Sequence, residues 1–131
     1  MGKRMTEHNL AKLFAEADAA GRVAGNAVTP TPMIVVERGD PLDDKSPIVR
    51  QYAPVLEGVC GFARITIRPG QCAAARHAQA HLGGSPGCYG GIELYVEKYG
   101  QSMERKRAYA SAYAGTLRAA GVRAESDYRM D

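Results

Sequence analysis

Three consecutive segments decide the fold: GIELYVEKYG (residues 91–100), QSMERKRAYASAYAGTLRAAG (101–121) and VRAESDYR (122–129). Apolar residues alternate in the first segment, which is typical of a half-buried strand, and recur every three or four positions in the second, which indicates an amphipathic helix. Gly121 ends that helix, and a second strand begins at once. For such a strand–helix–strand step we expect two parallel strands and a right-handed crossover.

The long helix has a predicted packing face and a predicted start. Tyr109, Tyr113 and Leu117 share one face, which we expect to be buried. Ser102 stands where an N-cap is expected. Free N–H groups at a helix start can hold an anion, and basic side chains in the first turns add positive charge there. The predicted anion-binding corner runs from Gln101 to Arg107, with Arg105 and Lys106 as its first-turn charges and with Gln101, Ser102, Arg105 and Arg107 as its predicted contacts.

The rest of the chain adds helices and strands to this unit. A helical pattern runs from residue 6 to about 24, where Gly21 and Gly25 predict a fraying end. Alternation over 59–68 predicts a strand, and an alanine-rich helix over 71–82 follows it. Weaker strand signals lie at 33–36 and within 48–57.

These elements predict a single domain over 1–131, with an N-terminal helix and linker at 1–28 and an α/β core at 29–131. The expected fold class is α/β or α+β. We expect one mixed sheet of about four or five strands, with two or three packed helices.

One face of the predicted sheet is mixed in character. Phe62, Arg64 and Arg68 lie on this face of one strand, while Glu93, Tyr95 and Glu97 lie on it in another. If the strands are neighbours, Arg64 and Arg68 pair with Glu93 and Glu97, at roughly a few tenths of a kcal/mol per pair. Two aromatic rings among arginines could instead stack bases and hold phosphates. The face is therefore either a binding surface or an interface between copies.

The histidines and cysteines raise the question of a metal site. His77 and His81 have the four-residue spacing that can bring two imidazoles to one ion. The three cysteines form no CxxC pair, and the histidines lie off the apolar stripe, at a predicted solvated flank. A Cys–His nucleophile would lack an orienting third group. We therefore expect boundary histidines, buried free cysteines, no metal and no cofactor.

Composition restricts the location and the partners. The formal net charge is +3, which is too small to demand an anionic partner. Arginines outnumber lysines by 12 to 5, and arginine suits bidentate contacts with phosphate, although codon usage gives the same bias. No apolar run approaches the length of a membrane span, and the odd number of cysteines fits a reducing compartment. We expect a cytoplasmic protein without a membrane partner.

Two resemblances add to these predictions. GVCGFA (58–63), GQSMERK (100–106) and RMD (129–131) together resemble a family of small phage and prophage proteins of uncharacterised activity, over roughly residues 28–131. The resemblance implies a phage-encoded protein in the host cytoplasm. AYASAYAGTLRAAGVRAESDYR (108–129) is similar to the helix–strand segment of class II tRNA-synthetase anticodon-binding domains, which implies an α/β architecture with a mixed sheet.

The favoured function is non-catalytic binding of a phosphate-bearing ligand, either nucleic acid or a nucleotide. Its predicted contacts are Arg64, Arg68, Tyr95, Gln101, Ser102, Arg105 and Arg107. The alternative is a protein-interaction module, such as an inhibitor of a host defence protein or a virion accessory subunit.

Overall fold

The computed structural model describes residues 6–130 and shows an α+β fold with three helices and two sheets in that part of the chain. The elements in chain order are α1 (Glu7–Ala27), β1 (Val36–Arg38), β2 (Ile48–Gln51), β3 (Gly61–Arg68), α2 (Ala73–His81), β4 (Ser85–Pro86), β5 (Ile92–Tyr95), α3 (Met103–Ala119) and β6 (Arg123–Met130). None of the described helices is long and apolar enough to cross a membrane.

The larger sheet has the strand order β4-β5-β3-β6, and every neighbouring pair is antiparallel. The predicted fold class, the four-stranded sheet and the number of helices are confirmed, but the sheet is antiparallel and not mixed, and β1 and β2 form a second sheet. The two strands joined by α3 do run parallel to each other, as predicted, but β3 lies between them. The central strand β3 has both edges paired, with β5 on one side and with β6 on the other.

Apolar side chains of β3 and β5 form the core beneath the helices. Ala63, Ile65 and Ile67 of β3 are buried, and so are Ile92 and Leu94 of β5, which confirms the predicted inward faces. The helix α3 packs on β3 and β6, while α2 packs beside β5. Because the apolar residues alternate with polar ones, the opposite face of the sheet remains partly open to solvent.

The helix α1 extends beyond the predicted end near residue 24. Its glycines do not end the helix but pack against aromatic side chains. Thr6 caps it, as its Oγ1 accepts a hydrogen bond from Asn9 N at 3.2 Å. The helix continues through Gly21 and Gly25, which are buried. A Cβ at Gly21 would lie 2.7 Å from the ring of Tyr109, and one at Gly25 would lie 2.6 Å from the ring of Tyr99. These glycines let α1 approach the aromatic residues closely.

The helix α3 begins where the sequence predicts. The Ser102 side chain accepts a hydrogen bond from Arg105 N, and Tyr109, Tyr113 and Leu117 are buried as expected. Lys106 is also buried, and its Nζ donates a hydrogen bond to Gly61 O at 3.2 Å.

The strands β1 and β2 form a separate antiparallel arm. The first strand lies at 36–38 instead of the predicted 33–36, since Met33 forms an isolated bridge with Val55 at the base of the arm. Ile48 and Val49 of the arm are exposed and Val36 is half-buried, and no residue of the arm belongs to the core cluster.

Candidate functional site

The outer face of the four-stranded sheet holds the predicted arginines in ion pairs. Arg64 Nη1 lies 2.7 Å from Glu93 Oε2, and its Nη2 lies 3.1 Å from Asp127 Oδ2. The predicted pairing of Arg64 with Glu93 is thus confirmed. Arg68 pairs with Glu125 of β6 and not with Glu97, because the antiparallel register sets Ile67 opposite Ile92 and so places Glu97 towards the other end of β3.

Two aromatic rings on the outer face are accessible. Phe62 is 39% exposed and Tyr95 is 52% exposed, and both border a hollow of about 90 Å³. The guanidinium of Arg129 lies 5.3 Å from the centre of the Phe62 ring. Strand register places four arginines and three carboxylates on this face, so its positive charge is largely compensated. These residues are Arg64, Arg68, Arg123, Arg129, Glu93, Glu125 and Asp127.

At the predicted anion-binding corner, several polar groups already form hydrogen bonds with other parts of the protein. Ser102 is 1% exposed and caps the helix, and Met103 N donates a hydrogen bond to Val59 O at 3.1 Å. Arg105 Nε donates a hydrogen bond to Val28 O at 3.3 Å. Gln101 is exposed, and the guanidinium of Arg107 lies 4.2 Å from the ring centre of Tyr128. The corner therefore binds neighbouring segments of the chain, and few of its hydrogen-bond donors are left to contact an anion.

A cleft of about 760 Å³ opens between α1, α2, β5 and α3. Part of its wall consists of buried apolar and aromatic side chains, which come from α1, β3, the end of β5 and α3, and titratable side chains line the rest together with exposed residues. These wall residues are Phe14, Ile65, Leu94, Val96, Tyr109 and Tyr113. Tyr95 also lines the cleft, while the other predicted contact residues do not. No sequence pattern indicates this cavity, because its residues come from separate elements.

Asp18 carries a network of polar contacts at one end of the cleft. Its carboxylate accepts hydrogen bonds from Tyr109 and from Arg22 Nε, the latter at 2.8 Å, and Lys98 Nζ lies 3.7 Å away. Partial burial alone would raise the pKa of Asp18, but these hydrogen bonds and nearby positive charges together hold it below its usual value. Asp18 is therefore ionised at neutral pH.

The pKa values of the two tyrosines in the cleft wall are raised, whereas that of Asp18 is lowered. Burial raises the pKa of Tyr109, and its hydrogen bond to the Asp18 carboxylate adds to the effect. Burial also raises the pKa of Tyr113, with a smaller contribution from the charge of Asp18. Both rings are therefore neutral walls, and the Tyr109 hydroxyl is already engaged as a donor.

Glu7, His77 and His81 meet at another part of the cleft lining. His77 Nδ1 lies 3.2 Å from Glu7 Oε2, and His81 Nε2 lies 3.7 Å from the same oxygen. His81 is solvated as predicted. His77 is only 6% exposed, which contradicts the predicted solvated flank, because Phe14 of α1 stacks on its ring at 5.2 Å.

Comparisons with protein-family models, curated proteins and solved structures found no match. The functional assignment therefore rests on the chemistry of the cleft and of the outer sheet face. The three cysteines are free, but the prediction that they are buried is wrong, because Cys60 and Cys72 are half-buried and Cys88 is exposed. None of them lines the cleft.

Proposed function

We propose that this chain is a binding protein whose cleft takes a small organic molecule with an apolar body and a cationic group. The cleft itself carries the proposal. At about 760 Å³ it falls within the roughly 300–1,000 Å³ of small-molecule sites. Its apolar walls with a few polar groups at the edge match the usual composition of such sites.

The charge of the lining favours a cation. Glu7, Asp18 and Glu97 supply three carboxylates to the lining against the ammonium group of Lys98, and Arg22, which lies outside the lining, pairs with Asp18. Asp18 stays ionised near neutral pH because its pKa is lowered. The lining also contains the rings of Phe14, Tyr109 and Tyr113, and aromatic rings attract cations; the ammonium of Lys98 already lies 5.6 Å from the centre of the Tyr109 ring.

The contacts of the histidines favour binding over catalysis. Within residues 6–130, the side chain that meets both His77 and His81 is the carboxylate of Glu7, and no hydrogen bond joins a cysteine to either imidazole. A nucleophile activated by a histidine base needs such a contact.

A screen of small organic cations, neutral molecules and anions by ligand-observed NMR tests this proposal. The screen is run with EDTA, so that metal ions do not contribute. Ala15→Trp places a bulky side chain in the cleft from an exposed position on α1. Ala19→Trp is the matched control, because Ala19 is also exposed on α1 but does not line the cleft.

We expect apolar cations to bind the parent protein and the Ala19→Trp variant, and to lose at least tenfold in affinity for the Ala15→Trp variant. Anions of similar size and shape should bind more weakly. Equal binding by both tryptophan variants would place the ligand outside the cleft, and the absence of any bound cation would remove the proposal.

The outer sheet face supports a second candidate, which is binding of single-stranded nucleic acid. Its specific observation is the pair of exposed rings, Phe62 and Tyr95, with Arg129 beside Phe62. Bases stack on such rings, at about 1–3 kcal/mol per base. The compensated charge of this face predicts weaker dependence on salt than a basic groove would show.

Fluorescence anisotropy with short RNA and DNA at two salt concentrations tests the second candidate. Binding should weaken in the Phe62→Ala variant and at higher salt, and it should be unchanged by Ala15→Trp. The second candidate is excluded if no binding occurs, or if neither Phe62→Ala nor higher salt weakens the binding. The phage origin that the sequence resemblance implies stays a prediction.

A further inference from the structure

Glu7, His77 and His81 bring one carboxylate and two imidazoles to a single point, although Glu7 precedes His77 by 70 residues. We propose that these three side chains form a binding site for a divalent transition-metal ion such as Zn²⁺. The site supplies the third ligand that the sequence pattern of His77 and His81 did not reveal. The third ligand is the carboxylate of Glu7 and not a cysteine.

The distances fit a metal site after small movements. Zinc bonds of about 2.0–2.1 Å in a tetrahedral site place neighbouring ligand atoms roughly 3.3 Å apart. Glu7 Oε2 lies 3.2 Å from His77 Nδ1 and 3.7 Å from His81 Nε2. One ligand atom from each of the three residues lies within 4.8 Å of the others. The two imidazole nitrogens would have to approach each other by up to about 1.5 Å to complete the geometry, which rotation of the exposed His81 side chain can supply.

The framework around the site holds the ligands in place. His77 and His81 lie one turn apart on α2, and their ring centres are 4.9 Å apart. The buried ring of His77 is held by stacking on Phe14. Glu7 occupies the first turn of α1, next to the capping residue Thr6. A bound ion would therefore join two helices whose positions are already fixed by the core.

The ligand set restricts which ions fit. Two imidazoles and one carboxylate without a thiolate suit Zn²⁺, Co²⁺, Ni²⁺ or Fe²⁺ and give no preference for Cu⁺. Three protein ligands leave at least one position for water or another molecule. All three residues line the cleft, so this position is accessible to a small ligand. The inference does not depend on an organic ligand, because the three side chains alone form the site.

The competing explanation is a simple hydrogen bond between Glu7 and His77, and zinc titration separates the two. Isothermal titration calorimetry with ZnCl₂ is performed in a non-chelating buffer with a reductant. Glu7→Gln and His81→Ala are the test variants, since both side chains are exposed and the core should fold without them. Glu16→Gln and His8→Ala are matched controls, because both are exposed on α1 and outside the cluster.

We expect one zinc ion per chain, with affinity reduced at least tenfold in each test variant and unchanged in each control. Replacement of the three cysteines by serine should leave the affinity unchanged. The proposal is overturned if the parent binds no zinc, or if Glu7→Gln and His81→Ala bind it as the parent does. Ala15→Trp should retain zinc while losing the organic cation, so the failure of one proposal can be told from the failure of the other.

Discussion

Tyr109 of α3 donates a hydrogen bond to the carboxylate of Asp18 of α1, across 91 residues of sequence. The same carboxylate accepts a hydrogen bond from Arg22, one turn further along α1. The hydrogen bond between Tyr109 and Asp18 joins α1 and α3 at the edge of the cleft. It also explains how a carboxylate stays ionised beside buried aromatic rings.

Replacement of Asp18 by asparagine should reduce stability near neutral pH by about 1 kcal/mol, since solvent partly screens its ion pairs. The pKa of Asp18 is lowered in the folded protein, so its contribution is present above the unfolded pKa and is lost as pH falls through the folded value. The difference in unfolding free energy between parent and variant should therefore shrink below about pH 4. Urea titrations at several pH values measure this, and a difference that is constant with pH would contradict it.

The glycines of α1 should be required for its contact with α3. In Gly21→Ala, the new methyl group would meet the ring of Tyr109 at 2.7 Å, and the ring is buried. We expect a net loss of about 1–3 kcal/mol in spite of the better helix propensity of alanine.

Gly115→Ala is the matched control for this substitution. Gly115 also lies inside a helix, but the nearest atom to its added Cβ is a flexible Arg118 nitrogen at 3.8 Å. The control should gain about 0.5–1 kcal/mol. Thermal melts measure both changes, and a stabilising Gly21→Ala would disprove the packing role.

Tyr109 and Tyr113 should not ionise in the native protein at moderately alkaline pH, because the pKa of each hydroxyl is raised by burial. The native absorbance change near 295 nm up to about pH 11 should then be the same in the parent, Tyr109→Phe and Tyr113→Phe. In denaturant, each variant should lose about one seventh of the amplitude, since the chain has seven tyrosines. A native amplitude that falls in either variant would show that the replaced tyrosine ionises.

The arm of β1 and β2 should be dispensable for folding. No residue of the arm belongs to the core cluster, and the bridge between Met33 and Val55 closes its base. Replacement of residues 36–51 by a short glycine–serine linker should therefore change the midpoint of thermal unfolding by only a few degrees. Loss of cooperative unfolding would show that the core depends on the arm.

Periodicity predicted the helices and the central strand well, because each lies on a boundary between core and solvent. The strand predicted at 59–68 is observed as Gly61–Arg68, and the helix cap at Ser102 is confirmed. Strand order was not predictable from local pattern. Nothing in residues 91–129 reveals that β3 lies between the two strands that α3 connects.

The cleft was not predictable, because its residues are brought together by tertiary packing. His77 was expected in solvent from its position on α2, and it is buried only because Phe14 of a different helix covers it. Glu7 and Asp18 look like ordinary surface acids of α1. The one available signal was the spacing of His77 and His81, and its third partner is distant in sequence.

The cleft assignment is tested most directly by ¹H–¹⁵N NMR mapping with the best-binding organic cation from the screen. We predict that the largest chemical-shift changes occur in the cleft-lining parts of α1, β5 and α3, and that Ala15→Trp abolishes them. Shifts confined to the outer face of β3 and β6, or the same shifts in Ala15→Trp, would contradict the assignment.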